Sequence, residues 1–95
     1  MKLARQKVLD VLIKVLQEMQ QEIHEEPEKI TEDTIPVGDL YQFDSLTSVA
    51  ATVNALVTLG FKADEFPSYP SLFINNQNGA LTVGQVADRV IRLCK

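Results

Sequence analysis

Val8, Val11, Leu12, Val15, Leu16, Met19 and Ile23 recur at three- and four-residue spacings. At 3.6 residues per turn these positions share one face of a helix, so the period predicts an amphipathic helix over residues 3–23. Lys7, Asp10, Lys14, Gln17 and Gln21 fill its other side, and His24, Glu25, Glu26 and Pro27 end it. Proline lacks the helical donor and disfavours helix at the residue before it. A helix with so broad an apolar face must bury it against other elements, and the rest of the chain has to supply them.

Two further segments carry the same period. Residues 45–59 place Leu46, Val49, Ala50, Val53, Leu56 and Val57 on one side, and Gly60 follows as a terminator. Several Val and Thr lower the intrinsic helix propensity there, so packing must hold this helix together. Loss of Val53 or Val15 is expected to leave a cavity in the core. Thr82, with Gln85 three residues on, forms a capping-box signal, and Val83, Val86, Ala87, Val90, Ile91 and Cys94 follow as a stripe. The connection over residues 24–43 is long for so small a domain and must be tied down. Ile30, Ile35, Val37, Leu40 and Phe43 are its candidate anchors. Two prolines, three asparagines and a glycine break up residues 61–81, where Pro70–Ile74 is expected to form a short helical turn. Phe61, Phe66, Leu72, Phe73 and Ile74 should fill the end of the core. The fold class that follows is all-α: a small, irregular bundle of three to four helices with a long first loop, in one domain over residues 1–95.

Charge and composition remove several classes of function. Nine acidic residues and one basic residue, Lys29, lie between Glu18 and Asp44, a balance that repels phosphate backbones and argues against nucleic acid. No apolar run is long enough to span a bilayer or serve as an export signal, so a soluble, cytoplasmic protein is expected. A lone cysteine, Cys94, excludes a disulfide framework and a cysteine-based metal site. His24 is the only histidine, and its place among glutamates at a helix end reads as surface rather than as part of a triad. Glu22, His24, Glu25, Glu26 and Glu28 lack a helical ligand register for a metal. No phosphate-binding glycine loop or dinucleotide fingerprint is present.

Asp44 and Ser45 remain. Either is a good N-cap for the helix that opens at this point. Capping alone does not explain why an acidic, anchored loop delivers the pair to a helix start. A phosphodiester on Ser45 would be stabilised there by free backbone N–H groups and the positive end of the helix dipole. Asp44 beside it would help to hold a divalent ion or a partner lysine while the group is attached.

With these residues in place the chain resembles the acyl carrier proteins. The resemblance rests on Asp44-Ser45-Leu46, which follows a long loop and opens a helix. It extends to ITEDTIP at 30–36, similar to the acidic segment ahead of that motif, and to LTVGQVADRVIRL at 81–93, similar to the family's last helix. It implies that Ser45 receives 4′-phosphopantetheine from coenzyme A through a phosphopantetheinyl transferase and Mg²⁺. It implies that the arm's thiol carries acyl groups as thioesters to acyl-transferring, synthase or ligase enzymes of fatty-acid, polyketide or lipid-modifying pathways. It also implies that Leu46 is the apolar residue beside the arm, packing on the core or touching the partner. Such a protein is a monomer that catalyses nothing itself. The chain departs from the family in three places, one of them the segment 61–80, which is longer than the family norm. Gln42 stands where many carriers have glycine, and no acid follows Asp44 in the second of the three long helices. The alternative is a helical interaction module with the carrier fold and no arm, in which the serine is only part of a helix start.

Overall fold

The computed structural model describes residues 3–23, 29–40, 43–68, 71–75, 77 and 79–93, the side chains of residues 22 and 23 excepted. His24, Glu25, Glu26, Glu28, Gln42, Pro70 and Cys94 lie outside that set, as do the side chains of Glu22 and Ile23. Three long helices form the bundle: α1 over Arg5–Ile23, α3 over Ser45–Thr58 and α4 over Val83–Leu93, with a single turn, α2, at Pro36–Asp39. A 3₁₀ turn follows α3 at Ala63–Glu65. The only pairing of extended backbone among the described residues is an antiparallel bridge between Ile74 and Ala80. The short helical turn expected at Pro70–Ile74 is not there. Residues 71–74 are bent and extended, and the short helical element sits earlier, at 63–65. Ser71 Oγ accepts from Phe73 N and Thr52 Oγ1 of α3 accepts from Leu72 N, which together hold the segment in a bent, extended path against α3.

α1 packs on both α3 and α4. Val8, Leu9, Val11, Leu12, Val15 and Leu16 are buried on it, as its period requires, while Lys7, Asp10, Lys14, Gln17 and Gln21 face out. Gln20 is also buried. α4 behaves in the same way. Val83, Val86, Ala87 and Val90 have no exposed surface, and the capping box is made, with Thr82 N donating to Gln85 Oε1 (2.9 Å) and Gln85 N to Thr82 Oγ1 (3.1 Å).

The long connection is fastened at several points. Ile30, Pro36, Leu40 and Phe43 are buried. The first amides of α4, which have no partner within the helix, donate to the loop: Val83 N to Thr34 O (2.9 Å) and Gly84 N to Glu32 O (2.8 Å). Arg5 adds an exposed clamp between α1, the loop and α4, reaching Glu32 at 3.1 Å and Asp88 at 2.9 Å. Both carboxylates raise its pKa, Asp88 more than Glu32.

α3 departs from its expected orientation. Ser48, Ala51, Thr52, Ala55 and Leu56 are its buried residues, and Leu59 caps it from inside the core. Leu46, Val53 and Val57, expected on the core side, are 80%, 42% and 59% exposed, and Ala50 is exposed with them. At about 100° per residue the inward face lies roughly opposite the expected one. Small and hydroxyl-bearing side chains let α3 approach its neighbours closely, and two of the hydroxyls are hydrogen-bonded inside. Thr52 Oγ1 donates to Ser48 O (2.8 Å) and accepts from Leu72 N (2.9 Å), and Ser48 Oγ lies 2.8 Å from Ser71 Oγ. Leu72 and Phe73, fully buried, supply the bulk that α3 lacks.

The end of α3 is well defined. Phe61 N donates to Leu56 O (2.9 Å) and Gly60 N to Val57 O (3.0 Å), with Gly60 at φ +97° and Phe61 and Leu56 both buried. This is the paired hydrogen-bond pattern of a glycine-terminated helix, and it places Phe61 in the core.

The buried hydroxyls generate a stability test. Thr52→Val keeps the shape but orphans the buried Leu72 amide, so urea unfolding should show a loss of about 1–3 kcal/mol. Val53→Ala, on the outer face, should stay within about 0.5 kcal/mol. A reversed ranking would place Val53, not Thr52, in the core.

Candidate functional site

Ser45 is the first residue of α3, and the loop before it is built to hold that start in place. Pro36 opens the α2 turn, where Asp39 N donates to Ile35 O, Leu40 N to Pro36 O, and Ile35 N returns a bond to Asp39 Oδ2 (2.9 Å). Gly38 sits in that turn at φ +121°, a conformation that residues with a side chain rarely adopt. Leu40 and Phe43 then anchor the chain inward. The Phe43 ring meets Phe73 edge-on, with centroids 5.7 Å apart and an interplanar angle of 69°. Two residues before Ser45, at Phe43, the chain is therefore anchored in the core.

Asp44 is the cap. Its Oδ1 accepts from Thr47 N at 2.8 Å, and its carbonyl accepts from Ser48 N at 3.0 Å. Of the two candidates left open by the sequence, Asp44 does the capping, and Ser45 occupies the first helical position. The Thr47 backbone amide, then its side chain, holds the Asp44 carboxyl below its ordinary pKa, so it stays ionised near neutrality. Ser45 is exposed, and its hydroxyl has no hydrogen-bond partner among the described residues. Its carbonyl is held from within by Ser48 Oγ at 2.6 Å. The result is a serine with a fixed backbone and an unengaged hydroxyl, beside a carboxylate committed to the helix.

Leu46 projects away from the core, 80% exposed, and does not pack against it. Of the two roles that the resemblance implies for it, the geometry leaves the outward one. An open depression of about 550 Å³ lies on the loop side, lined by Gly38, Leu40, Phe43, Asp44 and Thr47. A second groove, of about 570 Å³, runs between α1 and α3, lined by Val15, Glu18, Met19, Ala50, Asn54, Val57 and Thr58.

The sequence placed Asp44, Ser45 and Leu46 together, and the structure keeps them at one helix start. It did not anticipate Ser48, Thr52 and Ser71 as their support. The available signal was a pair of hydroxyl residues four apart, Ser48 and Thr52, beginning about one turn beyond Ser45. Among the described residues no group of three or more His, Cys, Asp or Glu is placed to hold a metal ion. The acidic stretch around His24 lies outside the described residues. No described helix is long and apolar enough to cross a membrane.

The cap makes a pH prediction. A carboxyl whose folded pKa is below its unfolded value stabilises the fold above the unfolded value, about 3.9 for aspartate. That stabilisation is lost as the pH falls through the lower folded value. Wild-type stability should therefore drop below about pH 4, and Asp44→Asn should be less stable at neutral pH with a flatter acid limb, as read from urea midpoints at a series of pH values. Ser45→Ala, which removes no cap, should leave the neutral-pH midpoint within about 0.5 kcal/mol of wild type. Compared with known proteins, the chain matches no family model, no curated protein and no solved structure.

Proposed function

We propose that the protein is an acyl carrier, with Ser45 as the attachment point for 4′-phosphopantetheine. The observation that carries this reading is the exposed, unbonded Ser45 hydroxyl on a backbone held by Asp44, Ser48 and the Phe43–Phe73 contact. An attachment serine must be reachable by a transferase, and its position must be set by the fold. Ser45 meets both requirements, and the dipole of α3 favours a phosphodiester at its first turn.

Ser45 Oγ would attack the β-phosphorus of coenzyme A. The new Oγ–P bond forms as the pyrophosphate link breaks, the hydroxyl proton passes to a base on the transferase, and the adenosine bisphosphate leaves. The bound arm supplies a thiol that carries acyl groups as thioesters. The chain's own residues have a positional task. Asp44 fixes the first turn of α3 through Oδ1, the exposed negative charge of that cap lies where a Mg²⁺ ion or a lysine of the transferase would approach, and Leu46 stands outward beside the attachment point. The protein performs no chemistry on its cargo and passes it among acyl-transferring, synthase or ligase enzymes. Diffusion between such partners suits a monomer in the cytoplasm.

The exposed apolar side of α3 also suits a helical interaction module with this fold and no arm, and one measurement separates the two. After incubation with coenzyme A, Mg²⁺ and a broad-specificity phosphopantetheinyl transferase, the intact mass should rise by one phosphopantetheine moiety. Ser45→Ala should show no increment while keeping the wild-type helical circular dichroism. An unmodified wild-type protein with several transferases would favour the arm-free module.

A further inference from the structure

An open cavity of about 260 Å³ lies against α4, lined by Asn75, Leu81, Gln85, Asp88, Arg89 and Arg92. It shares no lining residue with the depression beside Ser45. Its amide side chains have their acceptors already committed. Asn75 Oδ1 accepts from Gln77 N (2.9 Å) and Gly79 N (2.8 Å), and Gln85 Oε1 accepts from Thr82 N (2.9 Å). These bonds fix which end of each amide is the oxygen, and they leave Asn75 Nδ2 and Gln85 Nε2 as donors with no partner among the described residues. Arg89 Nη1 donates to the carbonyls of Leu72 and Ile74, both at 2.9 Å, which fixes a positive charge at the cavity wall. Arg92, one turn on, is exposed and makes no hydrogen bond or ion pair among the described residues. The one carboxylate in the lining, Asp88, is countered by Arg5, whose Nε lies 2.9 Å away and which it shares with Glu32. The sequence agrees with this local sign: in a chain of net charge −4, Phe66 to Lys95 holds a single acid, Asp88, against Arg89, Arg92 and Lys95.

We propose that this cavity binds a small phosphate, free or as a monoester, with Arg92, Asn75 and Gln85 donating to its oxygens and Arg89 supplying a fixed charge. Donor number favours phosphate over carboxylate. The Arg92 fork and the two amide groups offer about nine N–H bonds, against about four acceptor sites on a carboxylate. A phosphate monoester brings three terminal oxygens and about 1.5–2 negative charges near neutrality, and it suits the fork of an arginine. The cavity is smaller than the roughly 300–1,000 Å³ of a drug-sized site, so it suits a small molecule. Leu81 gives the carbon side of an ester an apolar wall. Two of the donors are held in place by the same bonds that build the fold, the turn at Asn75–Gly79 and the capping box of α4, so little ordering is left for binding to do. The site is independent of Ser45 and of any group attached there.

The test titrates the intact chain with inorganic phosphate, glycerol 3-phosphate and acetate, at one ionic strength of about 100 mM and about pH 7.5. The readout is the side-chain amide and arginine Nε–H signals in ¹⁵N NMR. Both phosphates should give saturable shifts at Asn75, Gln85 and Arg92, with a Kd of about 5 mM or tighter. Gln85→Glu keeps the acceptor for Thr82 N, and Asn75→Asp keeps the acceptor for Gln77 N and Gly79 N. Each therefore preserves its backbone bonds while turning a donor into a negative charge. These two variants and Arg92→Gln should each weaken phosphate binding about tenfold or more, with urea midpoints close to wild type. Lys14→Gln, which removes a positive charge from the exposed side of α1, should stay within about twofold. Tighter binding of glycerol 3-phosphate would assign the site to an organic ester, and equal binding to free phosphate; both bear the proposal out. Acetate held as tightly as phosphate would overturn it in favour of a carboxylate site. So would the absence of saturable shifts, or affinities that Gln85→Glu, Asn75→Asp and Arg92→Gln leave unchanged.

Discussion

The hydrogen bonds between α3 and residues 71–73 determine more of this molecule than any apolar contact does. Thr52 Oγ1 takes the Leu72 amide, Ser48 pairs with Ser71, and Ser71 Oγ accepts from Phe73 N. From the other side, the Arg89 guanidinium donates to the carbonyls of Leu72 and Ile74, both at 2.9 Å. A buried extended segment inside a helical bundle must find a partner for each amide and carbonyl. The bridge to residues 79–81 supplies some, with Leu81 N donating to Phe73 O and Asn75 N to Gly79 O, Ser71 Oγ takes the Phe73 amide, and side chains of α3 and α4 supply others. Leu72 and Phe73 can then sit fully inside, and Phe73 can meet Phe43, which sets the approach to Ser45.

The same bonds fix the rotation of α3. Once Ser48 and Thr52 are committed inward, Leu46, Ala50, Val53 and Val57 must face water, because they lie on the opposite side of the cylinder. The inner side of α3 thus carries two hydroxyls beside Ala51, Ala55 and Leu56, while Leu46, Val53 and Val57 stay outside. Burial of the larger aliphatic face would gain apolar area, but it would leave the Leu72 amide and the Ser71 hydroxyl without the partners that Thr52 and Ser48 supply.

That competition explains which parts of the fold were legible in the sequence. α1 and α4 have charged or amide side chains on one face and aliphatic ones on the other, so period alone assigns the inside, and the capping residues Thr82 and Gln85 mark where α4 begins. The anchors Ile30, Leu40 and Phe43 were legible as isolated apolar residues in a polar loop. α3 has Leu, Val and Ala nearly all round and no charge to mark the solvent side, so its period admits two faces. The choice between them lies in residues 71–74, about twenty positions away, whose backbone needs no periodic sequence at all. The candidate site divides in the same way. The Asp44–Ser45–Leu46 order is a local signal, and the three residues lie at one helix start, whereas Ser48, Thr52 and Ser71 act through the tertiary fold, and the spacing of Ser48 and Thr52 does not tell which side of α3 faces inward.

The separation of charge from apolar surface follows from this arrangement. Among the described residues, acidic groups precede Ser45 on the loop, at Glu32, Asp33, Asp39 and Asp44, and aliphatic groups follow it on α3. The two halves act over different ranges. Exposed carboxylates are felt across about one Debye length, roughly 8–10 Å, whereas an aliphatic stripe acts only once water has been squeezed out. A macromolecule approaching Ser45 would therefore meet a negative field on one side of the serine and a desolvating surface on the other. Salt weakens the first and leaves the second almost unchanged, so the two sides of Ser45 differ in range and in their response to ionic strength.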